Sequence, residues 1–233
     1  MKEHNTCAII LAAGEGRRMG LDRPKQELQL LGKSVLRHTL EAFSLCEDIA
    51  SIVVVTREDE MEFARGECCG IEKLHTVTLG GRTRALSAAR GFAAVPAECD
   101  FVAVHDAARC LITPEMISKV VKNAYIYGAA SAATAATDTV KIVDTEGFVV
   151  STPQRKSVML ASTPQVFSTY IYNKAISGVD LSGENITDDN MLVEATGARV
   201  YCTEVGRENI KITTRSDVLY AELLLGGRDN GEI

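Results

Sequence analysis

Three cations stand among three glycines near the start of the chain: Arg17, Arg18 and Lys25 within nine positions, interleaved with Gly14, Gly16 and Gly20. They follow Ala8-Ile9-Ile10-Leu11, an apolar run with the length of a short buried strand. Ala12, Ala13 and Gly14 then carry too little side chain to hold the backbone away from a ligand. Backbone N–H groups of such a turn form a concave seat for an anion. A polyphosphate is the ligand this chemistry suits. The simpler alternative is a strand–turn whose arginines face solvent. Glycines alone would favour it, but two arginines, Pro24-Lys25 and a preceding apolar strand together weigh against it. Neither familiar glycine loop fits. The third glycine comes one residue late for the dinucleotide fingerprint, and Pro24 interrupts. Gly32-Lys33-Ser34 ends like a P-loop, but the earlier glycine would fall at Glu27.

Four further places carry chemistry-bearing residues. Gly80-Gly81-Arg82-Thr83-Arg84, with Ser87 beyond, lets backbone come close to a planar base; a plain strand–helix turn explains it equally. His105-Asp106-Ala107-Ala108-Arg109 follows a buried apolar run. Asp106 there suits Mg²⁺ or another divalent cation, or substrate hydroxyls; Arg109 suits a phosphate gripped bidentately. An internal Asp–Arg pair is the bland reading of the same residues. Thr187 reads as a helix N-cap before acidic first-turn residues, a complete structural explanation. Lys211, in an apparent short strand Ile210–Thr213, is either solvated or set to neutralise a phosphate.

The elements that must position these residues alternate. Strands are expected at Ala8–Leu11, Ser51–Thr56, His75–Leu79, Phe101–Val104, Ala129–Ala136, Arg199–Glu204 and Ile210–Thr213. Helices are expected at Val35–Leu45, Glu58–Arg65, Arg82–Ala94, Pro114 to about Tyr127, Ser168–Ser177, Thr187–Ala195 and from Thr214 or Arg215 to Leu225. Such alternation signals α/β architecture, whose ligands sit at the carboxyl ends of strands. Residues 138–160 break the rhythm with an antiparallel hairpin turning at Thr145-Glu146-Gly147. The reading is one domain, 1–233, with 138–160 as an inserted β-arm that reaches a neighbouring subunit or simply lies on the surface.

Composition narrows the classes. A net charge of −6 gives no broad basic footprint for nucleic acid. No run of about 18 apolar residues offers a membrane span, and Met1–Cys7 lacks the apolar core of a signal peptide. Seven cysteines without a Cys-x-x-Cys pair read as reduced thiols of a cytoplasmic protein, and four scattered histidines supply no zinc cluster.

The opening stretch, with Arg18-Met19-Gly20 and Pro24-Lys25-Gln26, resembles the signature of sugar-nucleotide pyrophosphorylases and related nucleotidyltransferases. It is most similar to the family of 2-C-methyl-D-erythritol 4-phosphate cytidylyltransferase. His105–Arg109, Asp138-Thr139-Val140-Lys141, Thr163-Pro164-Gln165, Thr187-Asp188-Asp189 and Asn209–Thr213 follow in the family's order, so the resemblance spans Ala8 to about Leu225. It implies a Rossmann-like three-layer nucleotide-diphospho-sugar transferase fold, with a mixed, mostly parallel sheet and an inserted β-arm. It implies transfer of CMP from CTP to 2-C-methyl-D-erythritol 4-phosphate, with release of pyrophosphate, in the non-mevalonate isoprenoid pathway. The implied catalytic residues are Arg18, Lys25 and Lys211. Ala12, Ala13, Gly14, Gly16, Gly81 and Ser87 would hold the nucleotide. Asp106, Arg109, Thr139, Arg155, Thr163 and Thr187 would hold the sugar-alcohol phosphate, with Asp106 also the ligand of Mg²⁺. Thr139 and Arg155 would act across a homodimer interface through exchanged arms. The chain departs from the family pattern at Arg82, Cys110, Asn190-Met191 and in lacking a tryptophan after Arg155. The rival readings are ribitol-5-phosphate cytidylyltransferase, a nucleotidyltransferase acting on a molybdenum cofactor, and a non-catalytic CTP-sensing module.

Overall fold

The computed structural model describes residues 4–14, 24–183 and 186–229. Among them, seven strands form one sheet in the order β11-β7-β10-β6-β1-β4-β5. These strands are β1 (Thr6–Leu11), β4 (Ser51–Thr56), β5 (Leu74–Leu79), β6 (Phe101–Asp106), β7 (Ala129–Ala135), β10 (Met159–Ser168) and β11 (Tyr201–Glu204). β2 (Gln29–Leu30) pairs with β3 (Lys33–Ser34), and β8 (Ile142–Val143) with β9 (Val149–Ser151), as two small ribbons. β1 lies between β4 and β6, parallel to both, and β5 continues parallel beyond β4. β10 runs antiparallel to β6 and β7. The sheet is therefore mixed and mostly parallel, as expected.

Both faces are covered, so the central strands read as continuous apolar runs. Side chains alternate across the sheet. Ala8 and Ile10 pack with Leu36, Leu40 and Phe43 of α1 (Val35–Leu45) and with Ile117, Val120 and Val121 of α4 (Pro114–Tyr127). Cys7 and Ile9 face the other way, toward Ala88 of α3 (Arg84–Ala93), Tyr172 of α5 (Thr169–Ser177) and Leu192 of α6 (Asp189–Ala195). A third cluster brings Ala221 and Leu224 of α7 (Arg215–Asp229) over Leu30, Val35, Leu111 and Ile212. Short side chains start the helices. Ser34, Thr83, Thr113 and Ser168 each accept a backbone N–H three residues on. Gly128, at φ +81°, ends α4 in the left-handed conformation.

Several sequence expectations need correction. Glu58–Arg65 is not one helix: a 3₁₀ turn at Glu58–Glu60 precedes α2 (Met61–Glu67). The cap of α6 is Asp188, which accepts from Met191 N–H, and not Thr187, which stays outside the helix. Ile210–Thr213 is not a strand. The segment crosses the end of the sheet, held by Ile212 N–H on Ala108 O at 2.8 Å. β10 has no counterpart in the sequence reading, because Pro164 interrupts its pattern; the register shifts between Ala161 and Gln165 around that proline. The hairpin at 138–160 is present, but only Ile142–Val143 and Val149–Ser151 pair.

Gly91 lets α3 lie close on the sheet. A Cβ there would stand 2.4 Å from Ile9 Cγ2 and 2.7 Å from Val55 Cγ2. Overpacking of this kind costs about 1–3 kcal/mol and outweighs the gain of about 1 kcal/mol from replacing a helical glycine. Gly91→Ala is expected to lower Tm by about 2–6 °C in a thermal melt. An unchanged or raised Tm contradicts the packing.

Candidate active site

The carboxyl ends of β1, β4, β5 and β6 lie side by side, and the loops leaving them meet. Ala12 N–H donates to Val55 O at 2.7 Å, Gly80 N–H to Thr56 O at 2.8 Å and Ala107 N–H to Leu11 O at 3.0 Å. A Cβ on Gly80 would lie 2.8 Å from that of Ala13, so the opening loop and the two-glycine loop close into one floor. Ser87 Oγ accepts from Gly81 N–H at 3.0 Å and donates to Thr83 O at 2.9 Å. These bonds hold the Gly81 turn.

Behind the opening loop stands Gln26, which the sequence reading passed over. It is buried, and its Nε2 donates to Ala12 O, to Gly14 O at 3.2 Å and to Glu60 Oε2 at 2.8 Å. Lys25, one residue earlier, brings its Cε within 3.9 Å of the place a Cβ on Gly14 would occupy. Gly16 and Arg18, both expected here, and Arg17 lie outside the described residues.

Asp106 ends β6, and its two carboxylate oxygens meet different cations. Arg84 Nε reaches Oδ1 at 3.1 Å and Lys211 Nζ reaches Oδ2 at 2.6 Å. Arg84 Nη1 also donates to Asp189 Oδ2 at 2.6 Å; Asp189 is fully buried and accepts Tyr172 O–H on its other oxygen at 2.6 Å. Burial alone would raise the Asp106 pKa, but the charges of Arg84 and Lys211 overcome it and hold the carboxyl well below the usual aspartate range. For Arg84 the balance runs likewise: burial opposes its charge, and Asp189 and Asp106 more than restore it. The bland Asp–Arg pair of the sequence reading exists, but its arginine is Arg84 and not Arg109.

Arg84 was missed although one signal was legible. It opens a helix, where the macrodipole disfavours a cation, so a carboxylate partner had to be near. Arg109 instead donates from Nη1 to Asn209 O at 2.9 Å, and burial lowers its pKa. Asn209 in turn donates to Thr163 O at 2.8 Å, which ties the segment bearing Lys211 to β10. Thr163 is buried: its hydroxyl accepts from Asp106 N–H at 3.1 Å and lies 3.0 Å from His105 Nδ1. Thr187 is exposed, with its hydroxyl 3.1 Å from Met191 Sδ. Thr139 and Arg155 are exposed on the arm, outside the Asp106 network; Arg155 Nη1 donates to Thr137 O at 3.0 Å.

Among the described residues, no group of three or more His, Cys, Asp or Glu is placed to hold a metal ion. Asp106 supplies one carboxylate with both oxygens on cations. Among the described residues, this donor set does not by itself fit a resident divalent ion.

Comparison with known proteins adds an independent finding. The sequence model of the family described as 2-C-methyl-D-erythritol 4-phosphate cytidylyltransferase matches residues 6–227. A protein of that name from Caldanaerobacter subterraneus subsp. tengcongensis is 38% identical over 226 residues, covering 95% of this chain and 99% of its own. One from Clostridium botulinum is 38% identical over 219 residues, covering 93% and 96%. The crystal structure of a 4-diphosphocytidyl-2C-methyl-D-erythritol synthase from Anaerococcus prevotii superposes with a TM-score of 0.85 at 30% identity, covering 97% of this chain and 100% of that one. The enzyme from Thermus thermophilus gives 0.75 at 28% identity, covering 94% and 98%.

His105 yields a pH-dependent stability. It is fully buried, and burial drives its pKa from 6.5 down to about 3, so the folded chain keeps it neutral. The unfolded chain binds the proton first. The stability due to neutral His105 is therefore complete above pH 6.5 and is lost as pH falls toward about 3. The slope is about 1.4 kcal/mol per pH unit. Urea unfolding at pH 7.5 and pH 5 is expected to show this loss in the wild type and not in His105→Gln. Equal losses in both contradict the assignment.

Proposed function

The chain belongs to the 2-C-methyl-D-erythritol 4-phosphate cytidylyltransferase family, a family of nucleotidyltransferases, and from that premise we propose how its residues transfer CMP from CTP to that sugar-alcohol phosphate. The family match favours this reading over ribitol phosphate, a molybdenum cofactor or CTP sensing. The observation that carries the residue assignments is Asp106, held between Arg84 and Lys211 at the mouth of the glycine floor.

The acceptor phosphate is ionised at neutral pH and needs no general base. One of its oxygens bonds to the α-phosphorus of CTP as the bond to the bridging oxygen breaks, and pyrophosphate leaves with that electron pair. Catalysis is then alignment and neutralisation of charge. Lys25 and Arg18 serve the triphosphate and leaving group. Lys211 exchanges Asp106 for oxygens of the α-phosphate, while Arg84 keeps Asp106 in place for the acceptor's hydroxyls. Ala12, Ala13, Gly14, Gly16 and Gly81 supply backbone to the nucleotide; Ser87 acts by fixing Gly81. Thr163 acts through its grip on the Asp106 backbone, and Arg109 and Thr187 border the acceptor. Mg²⁺ or another divalent cation is carried by the triphosphate as part of the substrate, where it neutralises phosphate charge.

We assign Thr139 and Arg155 to the acceptor phosphate of a second subunit. The support is the arm itself: Ile142, Val143, Phe148, Val149 and Val150 are each at least half exposed, an apolar surface one chain leaves uncovered. Sedimentation is expected to show a dimer at micromolar concentration; a monomer there would sink the assignment. Among the described residues no helix is long and apolar enough to cross a membrane. We place the enzyme in the cytoplasm, where seven free thiols stay reduced; fractionation with the membrane would oppose this.

The test is pyrophosphate release from CTP, Mg²⁺ and 2-C-methyl-D-erythritol 4-phosphate. Lys25→Ala and Lys211→Ala are each expected to lose on the order of 10²-fold in kcat, as removal of one preorganised donor costs roughly 3 kcal/mol. Near-normal rates in both would defeat the assignments.

A further inference from the structure

We infer that Glu60 is a positioning residue for the nucleotide loop, acting through Gln26 from outside the binding surface. The inference rests on the reading of residues 12–14 as part of the nucleotide's seat.

Gln26 Nε2 faces three oxygens, those of Ala12, Gly14 and the Glu60 carboxylate. The two carbonyls can only accept hydrogen bonds, so the amide has one workable orientation, with nitrogen toward all three. Two amide hydrogens serve three acceptors, and Gln26 and Glu60 are both buried, leaving water little part in the arrangement. Glu60 adds a charged acceptor on the same side, and so holds the amide nitrogen in that orientation. Its Oε2 anchors Nε2 at 2.8 Å, and Arg57 Nε lies 3.8 Å from its other oxygen.

The consequence reaches the ligand side through peptide geometry. A trans peptide sets its C=O and N–H on opposite sides. With Ala12 O drawn to Gln26, Ala13 N–H must point away from the interior. Ala12 N–H is meanwhile tied to Val55 O at 2.7 Å, so the peptide planes on both sides of Ala12 are set. Glu60 itself stands in the 3₁₀ turn after β4 and is buried. A buried carboxylate that only filled space would be a poor choice, since its burial pushes the pKa up against ionisation.

The experiment compares Glu60→Ala, Glu60→Gln and the exchange Gln26→Glu with Glu60→Gln, measuring KM for CTP, KM for the sugar-alcohol phosphate, direct CTP·Mg²⁺ binding by calorimetry, and Tm. Glu60→Ala is expected to raise KM and Kd for CTP about tenfold, the scale of one lost charged hydrogen bond, and to leave the acceptor KM within about twofold. Glu60→Gln, whose amide oxygen still accepts from Gln26, restores CTP affinity to within about threefold of wild type. The exchange rebuilds an amide–carboxylate pair between positions 26 and 60 but sets a carboxylate against the Ala12 and Gly14 carbonyls. It is expected to stay defective for CTP even where Tm recovers. Unchanged CTP affinity in Glu60→Ala, or full recovery in the exchange, overturns the inference; if Glu60→Ala does not fold, the exchange and Glu60→Gln decide. The two levels separate cleanly. Loss of CTP binding in Glu60→Ala, with a wild type that binds CTP yet never uses the acceptor, defeats the reaction and keeps the inference. Normal wild-type turnover with unaltered Glu60→Ala does the reverse.

Discussion

Asp106 is a nearly buried carboxylate at the end of a central strand, and a charge there is tolerated only when it is paired. Two cations from distant parts of the chain meet that demand: Arg84 from the start of α3 and Lys211 from the segment crossing the end of the sheet. The rest of the site depends on this meeting. Arg84 extends it to buried Asp189 and Tyr172, which binds α3, α5 and α6 to one point. Asn209, Thr163 and the β6 backbone extend it the other way, so that Lys211 is delivered on a braced segment. Under the proposed function Lys211 exchanges this carboxylate for a phosphate, since both partners are oxyanions and the incoming one carries more charge.

The glycine floor obeys a steric constraint instead. Gly80 and Ala13 approach at the distance of bare backbone and one methyl, and Gly81 lies where any Cβ would stand 2.4 Å from Leu86 Cβ. The buried Gln26–Glu60 pair then sets the peptide orientation that sterics leave open. Small residues allow the loop to approach a ligand, and a buried polar pair fixes how it does so.

Much of the fold was legible. Ser51–Thr56 and Pro114–Tyr127 were read at their observed bounds, since an uninterrupted β-branched run and a first-turn proline are local signals. β10 was invisible because Pro164 breaks its pattern, and a strand that tolerates proline at a register shift is recognised only from its neighbours. Ile210–Thr213 had a strand's composition but reached no sheet; Ile212 is apolar because it is buried under α7. In the site, Asp106 and Lys211 were both singled out, yet nothing local revealed that 105 residues of chain separate two atoms 2.6 Å apart. Arg84 and Gln26 were within quoted motifs and passed over, since their partners, Asp189 and Glu60, come from elsewhere in the sequence.

The central claim is that Lys211 trades Asp106 for the nucleotide. The most direct measurement is a crystal structure with CTP and Mg²⁺ bound. The account predicts that Lys211 Nζ leaves its 2.6 Å contact with Asp106 Oδ2 and bonds an α-phosphate oxygen, while Arg84 keeps its hold on Oδ1. A bound nucleotide whose phosphates lie away from Lys211, with the Lys211–Asp106 contact intact, would contradict it.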